Sequence, residues 1–144
     1  MRTIMVGGKY DPIHQGHIES IVKASKLGDY LYIVVNPDDI VAKKSAKGFC
    51  AIPLRYRIML LEGLLLHLNI KGEVLVSSNP DGTVLDELET IKPSIFAKGG
   101  DRTPNNMPAN EVDMCKKLGI AIVYGVGDLL NSSSKIWKRR EDIL

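Results

Sequence analysis

Apolar and polar positions fall in blocks along this chain, and the blocks switch between two periods. Residues 3–6 form a short apolar run that predicts a first strand. Residues 30–35 form a nearly continuous one, the pattern of a parallel strand buried on both faces. Segments 73–77, 94–97 and 120–124 complete five predicted strands. Between them apolar residues recur at helical spacing. Residues 16–27 carry Ile18, Ile21 and Val22 and end near Gly28, and residues 54–68 follow Pro53, a residue suited to a helix's first turn. Thr83 is a candidate cap for a helix over 83–91, with Asp86 three residues on. Residues 108–118 read as a helix stopped by Gly119, and Asn131-Ser132-Ser133-Ser134 as the cap of a final basic helix. Asn36-Pro37-Asp38-Asp39 and Asn79-Pro80-Asp81-Gly82 are turns. Residues 41–51, basic and poorly periodic, predict a loop.

Strands interleaved with helices predict an α/β fold, a doubly wound five-stranded parallel sheet. Ligands of such sheets bind beyond the carboxyl ends of the strands, near the switch in strand order. The glycine-rich and serine-rich segments follow strands one, four and five, and therefore share one rim. A length of 144 residues suits one domain, residues 1–144, and 44% hydrophobic with 25% charged content is ordinary for a globular chain. A net charge of +2 demands neither nucleic acid nor an acidic membrane as partner. Arg2 is followed by no long apolar stretch, so neither signal peptide nor membrane anchor is expected. Cys50 and Cys115 read as reduced thiols of a cytoplasmic protein.

The chemistry concentrates in Gly8-Lys9-Tyr10-Asp11-Pro12-Ile13-His14-Gln15-Gly16-His17, where a strand turns into a helix. Free N–H groups and the helix dipole favour an anion there, and a glycine between two imidazoles admits close approach. The spacing is not that of a zinc protease, and no cysteine pair lies nearby to supply metal ligands. Two imidazole N–H groups can instead donate to phosphate oxygens as negative charge builds during phosphoryl-type transfer. Gly7-Gly8 lacks the following Gly-x-x-Gly of a dinucleotide loop, which argues against a dehydrogenase.

The run Gly8-x-Tyr10-Asp11-x-x-His14-x-Gly16-His17 resembles the signature of the cytidylyltransferase-like (HxGH) nucleotidyltransferases, where the aromatic position is usually Phe. The stretch Asn131-Ser132-Ser133-Ser134-Lys135-Ile136-Trp137-Lys138-Arg139 is similar to that family's Ile-Ser-Thr-Thr helix start. Lys98-Gly99-Gly100-Asp101 resembles the segment found in the nucleotidyltransferase domain of heptose-phosphate (lipopolysaccharide core) enzymes, rather than the Arg-Thr-Glu-Gly type of choline- and glycerol-phosphate enzymes. The resemblance implies a Rossmann-like fold and transfer of a nucleoside monophosphate from ATP or CTP to a phosphorylated acceptor, with release of pyrophosphate. The Lys-Gly-Gly-Asp segment tilts this toward ATP and a sugar phosphate. Since the resemblance covers almost all of the 144 residues, no room is expected for the sugar-kinase domain of bifunctional heptose enzymes.

Carried over residue by residue, the resemblance makes His14, His17 and Lys44 catalytic, with Lys43 and Lys47 as rivals for the lysine. Gly8, Lys9, Tyr10, Asp11, Gly16, Gly99, Asp101, Ser132, Ser133 and Ser134 become nucleotide-binding. Asp38, Arg57 and Arg102 become acceptor-binding candidates, although Arg57 also reads as a surface salt-bridge residue. Trp137 reads as packing. Magnesium would arrive mainly on the nucleotide, since no carboxylate cage is visible, and the family implies a homodimer. Three alternatives stay open: FMN adenylation of the archaeal FAD synthetase type, a glycerol-phosphate-type cytidylyltransferase, and a nucleotide-binding regulator without activity, against which both histidines speak.

Overall fold

The computed structural model describes residues 1–99 and 103–126. In chain order the elements are β1 (Thr3–Gly8), α1 (Gln15–Ser25), β2 (Tyr30–Val35), α2 (Asp38–Lys44), α3 (Leu54–His67), β3 (Gly72–Val76), α4 (Leu85–Ile91), β4 (Ile95–Ala97), α5 (Ala109–Leu118) and β5 (Ala121–Val123). The strands form one sheet in the order β3-β2-β1-β4-β5, and every neighbouring pair is parallel. The expected doubly wound parallel sheet is therefore present. Among the described residues no helix is long and apolar enough to cross a membrane.

Alternation along the strands sorts side chains into two cores. Ile4, Val6, Leu31, Ile33 and Val35 point to one face, where Ile21 and Ala24 of α1 and Leu61 and Leu65 of α3 cover them. Met5, Val34 and Phe96 point to the other, under Leu88 of α4 and Cys115 of α5. Burial on both sides is why β2 reads as an unbroken apolar run.

The cleft originates in the strand register. β1 pairs with β2 along its whole length, from Thr3↔Tyr30 to Gly8↔Val35, but with β4 only at Ile4↔Ile95 and Met5↔Phe96. Beyond Met5 the two strands part, at the point in the sheet where the strand order reverses. The carboxyl end of β1 thus opens the crevice that doubly wound sheets use for ligands.

Two local expectations need correction. Residues 38–44 form α2 where a loop was expected over 41–51: Ile40 and Val41 are buried. Asp38 and Asp39 in its first turn and Lys43 and Lys44 in its last complement the helix dipole. Thr83 does not cap α4; Val84 holds that position, and the Thr83 hydroxyl donates to Asp81 Oδ1 at 2.7 Å. Gly119, by contrast, ends α5 in the left-handed conformation, φ 71°, as a helix-terminating glycine does.

One buried cation ties the rim of the sheet together. Arg57, with 0% of its surface exposed, donates from Nε to the Ile52 carbonyl at 2.8 Å and from Nη1 to the carbonyls of Lys9 at 2.8 Å and Asn36 at 2.7 Å. Its Nη2 reaches Asp38 Oδ1 at 2.6 Å. The loop after β1, the end of β2 and the entry to α3 converge on this one side chain. Replacing it by methionine leaves three carbonyls without their donor, so Arg57→Met should lower unfolding stability by roughly 3 kcal/mol or more in urea titrations. Asp38→Asn should cost less than about 1 kcal/mol, because its carboxylate is half exposed. Equal losses from the two substitutions would show that the carboxylate, not the carbonyls, carries the brace.

Candidate active site

The strand-to-helix turn is built from the backbone outward. Tyr10 sits at φ 53°, in the left-handed region that non-glycine residues rarely occupy. Burial to 4% exposure, within the same core as Val6 and Ile21, holds it there. Its ring tilts against His17, with centroids 4.9 Å apart. The Asp11–Pro12 peptide bond is cis.

The two histidines cap α1 reciprocally. His14, the N-cap in extended conformation, accepts the Gly16 amide at Nδ1 over 3.1 Å. His17 Nδ1 in turn accepts the His14 amide at 3.3 Å. Serine and glutamate usually play these parts. With Nδ1 accepting in both rings, the neutral tautomer carries its hydrogen on Nε2, so each ring keeps one N–H donor for a ligand. The rings stack at 3.8 Å with 24° between planes. Burial, and then the nearby His14 and Lys9, push the His17 pKa down to about 3, and burial lowers that of His14. Both rings are therefore uncharged at neutral pH, donors of hydrogen bonds rather than of charge.

Charge comes from lysines around a cleft of about 1020 Å³ at the carboxyl end of β1. Gly8, Lys9, Tyr10, His17, Lys44 and Gly99 all line it. His14 stands behind His17, and Gly16 is buried in the first turn of α1. Burial first, then Lys47, lowers the Lys9 pKa, with Asp11 opposing. Of the three candidate lysines Lys44 is the one on the cleft wall. Lys43 is exposed elsewhere on α2, and Lys47 pairs with Asp11 at 3.1 Å.

Several expected ligand groups are occupied by the protein itself. Asp11, 1% exposed, accepts the amides of Ala51 at 2.8 Å and Ile52 at 2.7 Å besides Lys47. Burial raises its pKa, but these hydrogen bonds outweigh that and hold the carboxyl below its ordinary value. Arg57 is a buried brace rather than an acceptor contact or a surface salt bridge, and Asp38 is its partner. Asp101, Arg102, Ser132, Ser133 and Ser134, with Trp137, lie outside the described residues.

The cleft also has walls to which the motifs assigned no role. Lys98, the first residue of the Lys-Gly-Gly-Asp segment, lines it, with Nζ 4.5 Å from the centroid of the Phe96 ring. Asn36, Asp81, Gly82, Thr83, Asn110 and Glu111 line it too. Glu111 is buried and accepts the Val84 amide at 3.1 Å, joining the starts of α4 and α5. The usable signal was positional: the 81–83 turn follows β3 and therefore belongs to the same rim as the loops after β1 and β4.

A parallel sheet whose switch point opens onto paired neutral imidazoles and a lysine-walled cleft is the build of a nucleotidyltransferase domain. The model of the cytidylyltransferase-like family matches residues 5–136, and the chain belongs to that family. It is 33% identical over 100 residues to the bifunctional protein HldE of Methylococcus capsulatus, covering 69% of this chain and 20% of the relative. It is 30% identical over 123 residues to the HldE of Desulfatibacillum aliphaticivorans, covering 85% and 23%. The chain thus spans about a fifth of the length of these relatives. In fold it is similar to the lipopolysaccharide core biosynthesis protein of Thermoplasma volcanium, with a TM-score of 0.70 at 24% identity over 89% of this chain and 98% of that one.

The half-buried His17 makes stability depend on pH. The unfolded chain takes up a proton below the ordinary imidazole value of 6.5, which folded His17 refuses until about pH 3. Its contribution to stability is therefore full above 6.5 and falls as the pH drops through that window. His17→Gln keeps a cap acceptor and removes the titration, so its thermal unfolding midpoint should vary less than that of the wild type between pH 6.5 and 4. Parallel pH curves would refute the burial of a neutral ring.

Proposed function

We propose that this chain transfers a nucleoside monophosphate from ATP, or CTP in its place, to a phosphorylated small-molecule acceptor, with a sugar phosphate as the favoured class. The observation that carries the reading is the reciprocal histidine cap: both Nδ1 atoms are engaged, which leaves an Nε2–H donor on each ring, with His17 on the wall of a lysine-lined cleft at a helix start. Family membership supports the reaction class, and the resemblance of Lys98-Gly99-Gly100-Asp101 to the heptose-phosphate segment supports the acceptor class.

An acceptor phosphate oxygen attacks the α-phosphorus in line. A P–O bond forms to the acceptor, the bond to the bridging oxygen of the β-phosphate breaks, and pyrophosphate departs with that electron pair. An ionised phosphate is already a nucleophile, so no serine, cysteine or general base is required. His17 Nε2–H donates to a non-bridging oxygen of the α-phosphate, where charge accumulates, and His14 supports it from the adjoining ring. Lys9 and Lys44 balance the charge of the phosphates, and Ser132 to Ser134 hold the β- and γ-phosphates. Among the described residues no group of three or more His, Cys, Asp or Glu side chains could hold a metal ion. Magnesium would enter mainly with the nucleotide substrate and help to neutralise the charge of its phosphates. A homodimer is inferred from the family.

A pyrophosphate-release screen of ATP and CTP against sugar phosphates, glycerol phosphate and FMN tests the reading. Sugar-phosphate-dependent release is expected. Release with FMN alone would make the chain an FAD synthetase, and nucleotide binding without release from any acceptor would make it a regulator. With the productive pair, His17→Ala should lower turnover at least about a hundredfold, the scale for losing one preorganised donor. Turnover within a few-fold of the wild type would remove His17 from the mechanism.

A further inference from the structure

Lys44 reaches the cleft as the last residue of α2, and its anchor comes from the turn after β3. Its Nζ donates to the Gly82 carbonyl at 2.6 Å. Gly82 is buried, at φ +79°. The turn is fastened without help from the lysine. The Gly82 amide donates to the Asn79 carbonyl at 3.1 Å, and Asp81 Oδ1 accepts the Thr83 amide at 3.0 Å and its hydroxyl at 2.7 Å. The Asp86 amide donates to Asn79 Oδ1 at 2.8 Å. The Gly82 carbonyl is therefore a fixed acceptor, and the long lysine side chain is the partner that adapts to it.

The position is also crowded in a specific way. A Cβ on residue 82 would lie 2.5 Å from Lys44 Cε, 3.1 Å from Lys44 Nζ and 3.0 Å from Ile40 Cγ2. Glycine thus meets two demands here, a left-handed backbone and an open lane for the alkyl chain of Lys44. The two demands are separable, because asparagine adopts positive φ readily yet carries a Cβ.

We propose that Gly82 is a positioning residue for nucleotidyl transfer. Its missing side chain leaves the lane through which Lys44 enters the cleft, and its carbonyl fixes the ammonium on the cleft wall. A lysine loses much rotamer freedom when it is ordered, and one ordered before substrate arrives meets phosphate without that loss. The carbonyl takes one of the three N–H groups of the ammonium, and the turn beyond β3 becomes part of the phosphate-binding apparatus without touching phosphate. The assignment rests on the reading of Lys44 as a phosphate-facing cation.

A double-mutant cycle tests both layers, with pyrophosphate release measured on the nucleotide and acceptor turned over in the screen above. Gly82→Asn should lower kcat/KM on the order of 10- to 100-fold when Lys44 is present, the scale of displacing a reacting group's partner by about an ångström. In the Lys44→Ala background the same substitution should change it less than twofold, since it acts through a side chain no longer there. Losses that multiply in the double variant would overturn the assignment to Gly82 and leave Lys44 in place. A silent Lys44→Ala would remove the lysine from the mechanism, and Gly82 with it. Should Gly82→Asn fail to fold, acylation of the wild-type protein followed by mass spectrometry decides. Lys43 and Lys44 are both exposed, so an ammonium held by the carbonyl should react several-fold more slowly at Lys44 than at Lys43, and equal rates would overturn the proposal.

Discussion

The geometry of the cleft depends on a guanidinium that solvent does not reach. Arg57 donates to the carbonyls of Lys9, Asn36 and Ile52, the ends of three segments that would otherwise leave the sheet independently. Burying such a charge is unfavourable unless its donors are satisfied, and here each nitrogen has a partner. Asp11 completes the arrangement with the opposite polarity by accepting the amides of Ala51 and Ile52. A cation that gathers carbonyls and an anion that gathers amides thereby clamp the segment before α3 to the loop after β1. Lys9 and Tyr10, which line the cleft, lie in that clamped loop.

The sheet supplies the space and the loops supply the chemistry. β1 keeps β2 to its end but leaves β4 after Met5, and the opening falls where α1 begins. Its first turn uses imidazoles as caps, and one of them, His17, also lines the cleft. This economy fixes the tautomer of each ring through a backbone contact rather than through a carboxylate partner. It also ties site geometry to helix stability, since neither ring can turn without uncapping α1.

Much of this was legible in the sequence, because strand periodicity and turn residues are local signals. The parallel order followed from β-α alternation, and the histidine turn from its motif. What escaped was tertiary. Seven residues of α2 carry too few turns to show a period, and its lysines look like a solvated loop until Ile40 and Val41 are seen to be buried. Lys44 differs from Lys43 only by its phase on that helix. Asp11 and Arg57 sit in segments that resemble family motifs, yet a motif does not say whether a residue faces ligand or holds the backbone that does. Asp81 to Thr83 and Glu111 belong to the cleft by topology alone, and no residue pattern marks them. The segments carrying Asp101, Arg102 and Ser132 to Ser134 were read from resemblance and lie outside the described residues.

The neutrality of the stacked histidines has an electrostatic corollary. On the proposed reading, a triphosphate in this cleft would meet two kinds of recognition, the cationic side chains of Lys9 and Lys44 and the uncharged dipoles of the imidazoles. Ionic strength screens the first kind and hardly touches the second. Attraction of a nucleotide into the cleft would therefore be a salt-sensitive property of the lysines, whereas a short-range hydrogen bond from His17 would be little affected by salt. Capture and chemistry are thus separable by ionic strength.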